Sequence, residues 1–408
     1  MRRGAPWPRP VVSGAMPAFP RRVLVFLMDG LDPDYIRSAR LPRLTALIEA
    51  GSSTLAGRGV LPSLTNVNHV SLLTGTYPER HGLCANFYYD RATGREVFMD
   101  EAAFVREPLL CERIKALGWT TALVTAKEKL TRLLRRGLDL CVHMTSVPPD
   151  VGGRVGPAPD IFSMEINLWV LQTAREVALR HAPEFLYVAT TDYPEHKLSP
   201  DSPEMQRHLG LTDELIGGIL EAYDLDRDLV LLTADHGMNA KTRSVSPVRL
   251  LAERGISARG VPLIRDGLFA HHRDLGGAVY LFIDDQATAQ KAADVLVDAP
   301  GVEVVLPRAD AGQYHLPYDR VGDLVCFGRR EWALGVWADG AGTRAEEGLR
   351  SHGSLHEQTI PLILAGPGVR AGGQIEEGKI VDLAPTLCRL LGLGGGAFQG
   401  RVLEEALV

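Results

Sequence analysis

The chain has 408 residues, of which 45% are hydrophobic and 23% charged, and its formal net charge is −6. This length can bury a large core in two or three folding units, and the composition excludes a disordered or fibrous protein. The negative charge argues against a general nucleic-acid-binding protein, although a local metal cluster can still attract an anionic substrate.

The N-terminal segment and the cysteines indicate the cellular compartment. Residues 1–20 are rich in Pro and Arg and lack a continuous apolar run, so we predict a disordered leader and no signal peptide. The five cysteines are scattered and form no CxxC pair, which favours reduced thiols in a cytoplasmic protein. No run of 18 apolar residues occurs, so we expect no transmembrane span and no membrane partner.

Predicted strands and helices alternate along most of the chain. The first strand, residues 23–28, ends in Asp29-Gly30, and further strands are predicted at 120–125, 185–189, 229–234 and 360–365. Helices are predicted at 41–50, 108–117, 163–181, 202–223 and 382–391. This alternation predicts an α/β fold, with a mostly parallel sheet sandwiched by helices.

A segment of different character interrupts this pattern. Residues 246–345 contain predicted strands at 278–283 and 302–306, a helix at 286–297 and Gly-rich connections. We therefore predict a catalytic core formed by residues 21–245 and 346–408, with residues 246–345 as a smaller inserted α+β cap.

Thr65 opens an apolar, helix-periodic segment that follows a Pro-Ser turn. Threonine is a preferred N-cap, so one interpretation is a capped helix and nothing more. A helix N-terminus also offers unpaired N–H groups and partial positive charge, which favour deprotonation of a hydroxyl and binding of a phosphoryl group. The second interpretation is therefore a nucleophile.

Three Asp and three His residues have the spacing of metal ligands. Asp192 and His196 are one helical turn apart, Asp235 and His236 follow an apolar strand, Asp29 ends the first strand, and His352 lies where the chain re-enters the core. Each fragment alone could be ordinary turn or helix-face hydrogen bonding. Together, at the same end of parallel strands, they predict two metal sites. Oxygen and nitrogen ligands without thiolates suit Zn²⁺, Mn²⁺ or Fe, and the imidazoles favour Zn²⁺.

The remaining histidines near these motifs are predicted to have other roles. His356 is the alternative to His352 as the third imidazole, whereas His69, His81 and His356 are otherwise interpreted as supporting or structural residues. The adjacent pair His271 and His272 is predicted to lie on the surface of the cap.

Several motifs together resemble the alkaline phosphatase superfamily, in its nucleotide pyrophosphatase/phosphodiesterase branch. They are MDG (28–30), PSLTN (62–66), TGTYPERHG (74–82), DYPEH (192–196), ADHGM (234–238) and HGS (352–354). Within that branch the chain looks like the members that hydrolyse phosphonoacetate, through DPDYI (32–36), TNVN (65–68), GLCANFYYD (82–90), VTAKEKL (124–130) and RSHG (350–353). The resemblance covers about residues 21–400.

The resemblance implies a role for individual residues. Asp192, His196 and His352 would hold one zinc ion. Asp29, Asp235, His236 and the Thr65 oxygen would hold the other. Asn86 would donate to a phosphoryl oxygen, His196 would also contact the substrate, and Lys127 and Lys129 would meet a substrate carboxylate. Where the family usually has Thr-Asn-Pro-Asn-Asn, this chain has Val67 and His69.

The implied reaction cleaves the P–C bond of phosphonoacetate through a phosphothreonine at Thr65, giving acetate and phosphate. The carbanion leaving group needs stabilisation, which ammonium groups at the adjacent carboxylate would supply, although Lys127 and Lys129 are equally typical of an exposed charge pair. Two alternatives stay open: a type I phosphodiesterase on the same metals, and a non-catalytic metal-dependent binding protein. The expected partner is a small anionic phosphonate, and the sequence leaves open whether the chain forms a homodimer.

Overall fold

The structure, a computed structural model, describes residues 19–408. The predicted leader therefore lies almost wholly outside the described residues. The strands are β1 (Arg22–Leu27), β2 (Ser52–Arg58), β3 (Phe87–Asp90), β4 (Arg95–Phe98), β5 (Thr121–Thr125), β6 (Leu140–Val142), β7 (Phe185–Ala189), β8 (Asp228–Thr233), β9 (Asn239–Val245), β10 (Arg259–Pro262), β11 (Ala278–Phe282), β12 (Val302–Pro307), β13 (Leu324–Gly328), β14 (Trp332–Leu334), β15 (Thr343–Ser351), β16 (Thr359–Ala365) and β17 (Gly373–Gln374).

Helices alternate with the strands of the central sheet. They are α1 (Pro33–Ser38), α2 (Pro42–Ala50), α3 (Thr65–Thr74), α4 (Pro78–His81), α5 (Leu110–Ile114), α6 (Glu128–Leu133), α7 (Pro149–Val155), α8 (Glu165–Arg180), α9 (Tyr193–Lys197), α10 (Pro203–Leu220), α11 (Pro247–Ala252), α12 (Phe269–His272), α13 (Gln286–Leu296) and α14 (Leu383–Leu390). Within residues 19–408, no helix combines the length and the apolar character needed to cross a membrane.

The central sheet has eight strands in the order β17-β2-β16-β8-β1-β7-β5-β6. Every neighbouring pair is parallel except the two pairs that β16 makes with β8 and β2. Strands β5, β7 and β8 are buried along their whole length, as expected for parallel strands covered on both faces. The predicted α/β fold with a mostly parallel sheet flanked by helices is confirmed.

Helices cover the faces of this sheet, so a ligand can approach it at the ends of its strands. Helix α8 packs on β5 and β7 and against α10. Helix α3 contacts β7 through the hydrogen bond between His69 and Tyr187. Because β8, β1 and β7 are adjacent and parallel, their carboxyl ends meet at one edge. That edge is the usual ligand-binding edge of an open α/β sheet.

The smaller sheets lie mainly in the later part of the chain. Strands β10-β11-β13-β12 form an antiparallel sheet within residues 246–345, next to α13 and a second hydrophobic cluster. A three-stranded sheet, β14-β9-β15, joins this segment to the core, and the predicted boundary at residue 345 falls inside β15. The limits of the domains stay a prediction.

Candidate metal centre

Four connections bring the predicted ligands to the carboxyl edge of the sheet. Asp29 follows β1, Asp192 follows β7 and starts α9, Asp235 and His236 follow β8, and His352 follows β15. His196 lies one turn after Asp192, whose carbonyl accepts the His196 backbone N–H at 3.0 Å. Because β8, β1 and β7 are adjacent and parallel, residues that are distant in sequence lie next to one another.

The six side chains form two buried groups of three, each with its ligand atoms within 4.8 Å of one another. In the first group, Asp192 Oδ2 lies 3.2 Å from His196 Nε2 and 3.3 Å from His352 Nε2. In the second group, His236 Nε2 lies 3.4 Å from both Asp29 Oδ1 and Asp235 Oδ2. The two groups adjoin, because the rings of His236 and His352 stack with centroids 3.6 Å apart.

The three imidazoles share one orientation. In each, Nδ1 faces a backbone carbonyl: His196 that of Arg350 at 2.7 Å, His236 that of Gly237 at 3.0 Å, and His352 that of Ser63 at 2.8 Å. A carbonyl can only accept, so Nδ1 carries the hydrogen and Nε2 presents a lone pair to the centre. This arrangement is typical of metal-binding histidines.

The centre also contains buried polar atoms without a partner in the described part of the chain. Asp29 Oδ1, Asp235 Oδ2 and His196 Nε2 are buried and have no hydrogen-bond partner among residues 19–408. Buried polar atoms are nearly always hydrogen-bonded, so three such atoms among six clustered ligands call for explanation. All three are acceptors, and a divalent cation satisfies acceptors. The donor set therefore fits two metal ions.

The pKa shifts of the ligands result mainly from their burial and, for Asp29, also from neighbouring negative charge. Burial, followed by the Asp192 and Asp235 carboxylates, raises the pKa of Asp29 to about 7. Burial is also the main cause that raises the pKa of Asp235 to about 6. Burial lowers the pKa of His352 to about 4, which keeps its imidazole neutral and able to coordinate. Positive charge bound at this centre would offset the repulsion among the buried carboxylates.

Thr65 reaches the second group from helix α3. Its Oγ1 lies 3.5 Å from His236 Nε2, and its side chain is buried. The prediction that Thr65 is the N-cap is wrong: the extended residue Leu64 precedes the helix as N-cap, and Thr65 is its first helical residue. The Thr65 hydroxyl therefore does not cap the helix and faces the cluster instead.

Lys127 is buried and the side chain of Lys129 is only 10% exposed, so the alternative of an exposed charge pair is wrong. Lys127 Nζ lies 2.6 Å from Asp29 Oδ2 and 3.2 Å from Asp192 Oδ1, between the two groups of ligands. Lys129 pairs with the cap residue Asp266. Burial lowers the pKa of the Lys127 ammonium, but Asp192 and Asp29 outweigh it and raise that pKa above its ordinary value.

Asn86 lies beside the start of α3. Its Oδ1 accepts the backbone N–H of Asn66 at 3.3 Å, and its Nδ2 donates to the carbonyl of Ile264 at 3.2 Å. The amide is thereby held next to Thr65, with its second Nδ2 hydrogen free of these contacts. Its contact with a phosphoryl oxygen stays a prediction.

The predictions for His356, His69 and His81 can be compared with their contacts. His356 Nε2 lies 2.5 Å from Glu303 near the surface, so His352 and not His356 completes the first group. His69 is buried against the Tyr187 hydroxyl at 2.9 Å, and His81 is buried between Ser71 and the backbone of Leu83. These contacts agree with supporting or structural roles.

The prediction of a surface pair at His271 and His272 is wrong. Both are buried, since α12 folds onto the metal centre, and the His271 ring stacks on that of His196. Asp266, which contacts both Lys129 and His272, is a site residue that the sequence did not suggest. No spacing relates it to Lys129, because the two residues meet only when the cap packs on the core.

The mostly parallel sheet and the two adjoining groups of Asp and His ligands fit a metal-dependent phosphoryl hydrolase. The profile of the family described as type I phosphodiesterase / nucleotide pyrophosphatase matches residues 23–355. The chain belongs to this family.

Comparisons with individual proteins agree with this family assignment. The chain is similar to phosphonoacetate hydrolase from Sinorhizobium meliloti 1021, with 27% identity over 94% of this chain and 98% of that one. The TM-score is 0.80 for its complex with phosphonoformate and 0.79 for its complex with phosphonoacetate. The human bis(5'-adenosyl)-triphosphatase ENPP4 is 23% identical over 93% of this chain and 80% of that protein. The alkaline phosphatase PafA, at 14% identity, shares the fold with a TM-score of 0.73 over 97% of this chain and 100% of that one.

Proposed function

We propose that this protein hydrolyses phosphonoacetate to acetate and phosphate at a two-zinc centre, with Thr65 as the nucleophile. The observation that carries the proposal is the arrangement of one hydroxyl, two groups of ligands, the buried ammonium of Lys127 and the largely buried ammonium of Lys129. The similarity to a phosphonoacetate hydrolase over 94% of the chain supports the choice of substrate.

The six ligand residues would hold the metals. Asp192, His196 and His352 would bind one ion, and Asp29, Asp235 and His236 the other, with Thr65 joining the second set. When bound, two divalent cations would supply the positive charge that stabilises the Thr65 alkoxide and the phosphoryl oxygens. The three imidazole ligands favour zinc over magnesium or calcium.

The start of α3 would bind the phosphonate group. Its first backbone N–H groups and partial positive charge attract an anion, and Asn86 adds an amide hydrogen from the side. The carboxylate of the substrate needs a separate cationic partner, and Lys127 and Lys129 supply the ammonium groups. Binding the phosphonate group and the carboxylate at two separate points would fix the orientation of the substrate.

The chemistry balances as two displacements. The Thr65 oxygen, having lost its proton, attacks phosphorus, and the P–C bonding electrons leave with the CH2 group of the acetate fragment. That charge spreads into the neighbouring carboxylate, where an ammonium stabilises it, and the carbon takes up one proton to give acetate. Water then displaces the Thr65 oxygen from phosphorus, which releases phosphate and restores the hydroxyl.

A phosphodiesterase activity is the second candidate, because the family and the similar human triphosphatase act on phosphorus–oxygen bonds. The two lysines argue against it, since a diester carries no carboxylate for them to bind. The test is phosphate release by the zinc-loaded protein from phosphonoacetate, compared with cleavage of bis(p-nitrophenyl) phosphate. Efficient diester cleavage without phosphonoacetate turnover would replace the first proposal by the second.

A further inference from the structure

A short segment of the cap, residues 266–272, packs against the metal centre. Within it, the His271 ring stacks on the ligand His196, with centroids 5.8 Å apart and planes within 11°. The Phe162 and Tyr193 rings also contact His271, which fixes this end of the segment. The segment therefore has a defined position over the site.

Asp266 is the centre of a buried network in this segment. One of its carboxylate oxygens, Oδ2, accepts from the Lys129 ammonium of the core. The other, Oδ1, accepts from His272 Nε2 at 3.0 Å and from the Leu268 backbone N–H at 2.9 Å. Burial alone would raise the pKa of the Asp266 carboxyl, but Lys129 and then His272 hold it well below its usual range.

The tautomer of His272 follows from its other contact. The backbone N–H of Asp274 donates to His272 Nδ1 at 2.9 Å, so Nδ1 is an acceptor and the hydrogen of the neutral ring lies on Nε2. That hydrogen points at Asp266. His272 therefore fixes the carboxylate, and the carboxylate in turn fixes the Lys129 ammonium.

The two lysines differ in what they have left to offer. Each ammonium carries three N–H donors. Lys127 directs two of them at Asp29 and Asp192, which are metal-site carboxylates. Lys129 directs one at Asp266, and its other two donors have no partner among the residues that the structure describes, while its side chain is only 10% exposed. Lys129 is thus the better-equipped ligand for an incoming carboxylate.

We propose that Asp266 and His272 are positioning residues that hold Lys129 for the carboxylate of the substrate. The cap thereby selects phosphonates that carry a carboxylate close to phosphorus over phosphonates that lack one. This inference rests on the proposed function and adds the residues that set its specificity. Neither positioning residue needs to touch the substrate.

The experiment measures binding of two ligands to the zinc-loaded protein by calorimetry, phosphonoacetate and methylphosphonate, which share the phosphonate but differ in the carboxylate. All proteins compared, including the one with the wild-type cap, carry Thr65→Ala, so that phosphonoacetate is bound and not hydrolysed. His272→Leu removes the hydrogen bond to Asp266, whereas His272→Gln can restore it, because an amide N–H can occupy the place of Nε2–H. We expect His272→Leu to weaken phosphonoacetate binding about tenfold or more, with methylphosphonate binding changed less than about threefold. We expect His272→Gln to recover most of the loss.

Two further variants keep the result interpretable. Asp266→Asn preserves the shape of the side chain and should also lose the preference for phosphonoacetate. It provides the test if His272→Leu fails to fold. His315→Leu is the matched control, since His315 also pairs with a carboxylate, Glu79, at 3.0 Å, but away from this network. It should leave both affinities unchanged.

The outcomes separate the two proposals. If the protein with the wild-type cap prefers phosphonoacetate and the folded His272 and Asp266 variants keep that preference, or lose both ligands equally, the positioning role is wrong while the proposed function stands. If the protein with the wild-type cap itself shows no preference for the carboxylated ligand, the proposed substrate is wrong and the selection by the cap falls with it.

Discussion

The buried ion pair between Lys241 and Glu357 supports the metal centre, and its removal should be costly. Lys241 Nζ lies 2.8 Å from Glu357 Oε1, and both side chains are fully buried. In Lys241→Met the Glu357 carboxylate would remain buried without its cation. Breaking one partner of a buried pair typically costs roughly 3–5 kcal/mol, so we expect the free energy of unfolding at pH 7 to fall by that amount.

The pKa of Glu357 gives an independent magnitude. Burial would raise it, but Lys241 and the hydrogen bonds from Asn239 and Ser354 lower it to about 2, from an ordinary value of 4.5. At about 1.4 kcal/mol for each pKa unit, Lys241, Asn239 and Ser354 together favour the ionised form by roughly 3 kcal/mol. Because the folded pKa is the lower one, this stability is present above pH 4.5 and is lost as the pH falls towards 2.

The same pair should affect metal binding through a defined chain of contacts. Glu357 Oε2 accepts from the backbone N–H of Ser354 at 2.9 Å and from its hydroxyl at 2.7 Å. The Ser354 carbonyl accepts from the Ser63 hydroxyl at 2.7 Å, and the Ser63 carbonyl accepts from the ligand His352 at 2.8 Å. Loosening Glu357 should therefore weaken zinc binding as well as stability.

The assay is urea unfolding of the metal-free protein at pH 7, followed by zinc titration of the folded variants. The double variant Lys241→Met with Glu357→Gln removes the unpaired charge and should recover at least half of the lost free energy. A Lys241→Met protein within about 0.5 kcal/mol of the wild type, a difference typical of neutral surface changes, would refute this reasoning.

Three further predictions concern the site itself. Thr65→Ala should lower phosphate release from phosphonoacetate roughly a thousandfold or more while zinc content is largely retained, as measured by turnover and metal analysis; normal turnover would rule out Thr65 as the nucleophile. His352→Ala should weaken binding of one zinc ion at least about tenfold in a chelator competition, whereas His356→Ala should not, and equal effects would contradict the choice of ligand. Lys129→Met should raise the KM for phosphonoacetate, and this change should exceed its effect on the kinetics of a substrate without a carboxylate. Steady-state kinetics with both substrates would check this.

The sequence predicted the central sheet and the six candidate ligands because both depend on local patterns. An apolar run that ends in a carboxylate, as at Asp29 and Asp235, marks the end of a buried parallel strand. Parallel strands bring such ends together regardless of the sequence between them. The Asp192–His196 spacing is likewise local, since one helical turn separates the two.

The cap contacts could not be predicted in the same way. His271 and His272 have polar side chains in a short segment without periodicity, so nothing local separates an exposed pair from a buried one. Their burial depends on how α12 packs on the core. The prediction of an N-cap at Thr65 was wrong for a related reason: the hydroxyl faces His236, which lies 171 residues later in the chain.

The most direct test of the central claim is the assay of products from phosphonoacetate with the purified zinc-loaded protein. The proposal predicts phosphate and acetate in equal amounts, with turnover abolished by Thr65→Ala and by removal of zinc. Absence of both products, in a preparation that cleaves bis(p-nitrophenyl) phosphate efficiently, would contradict it.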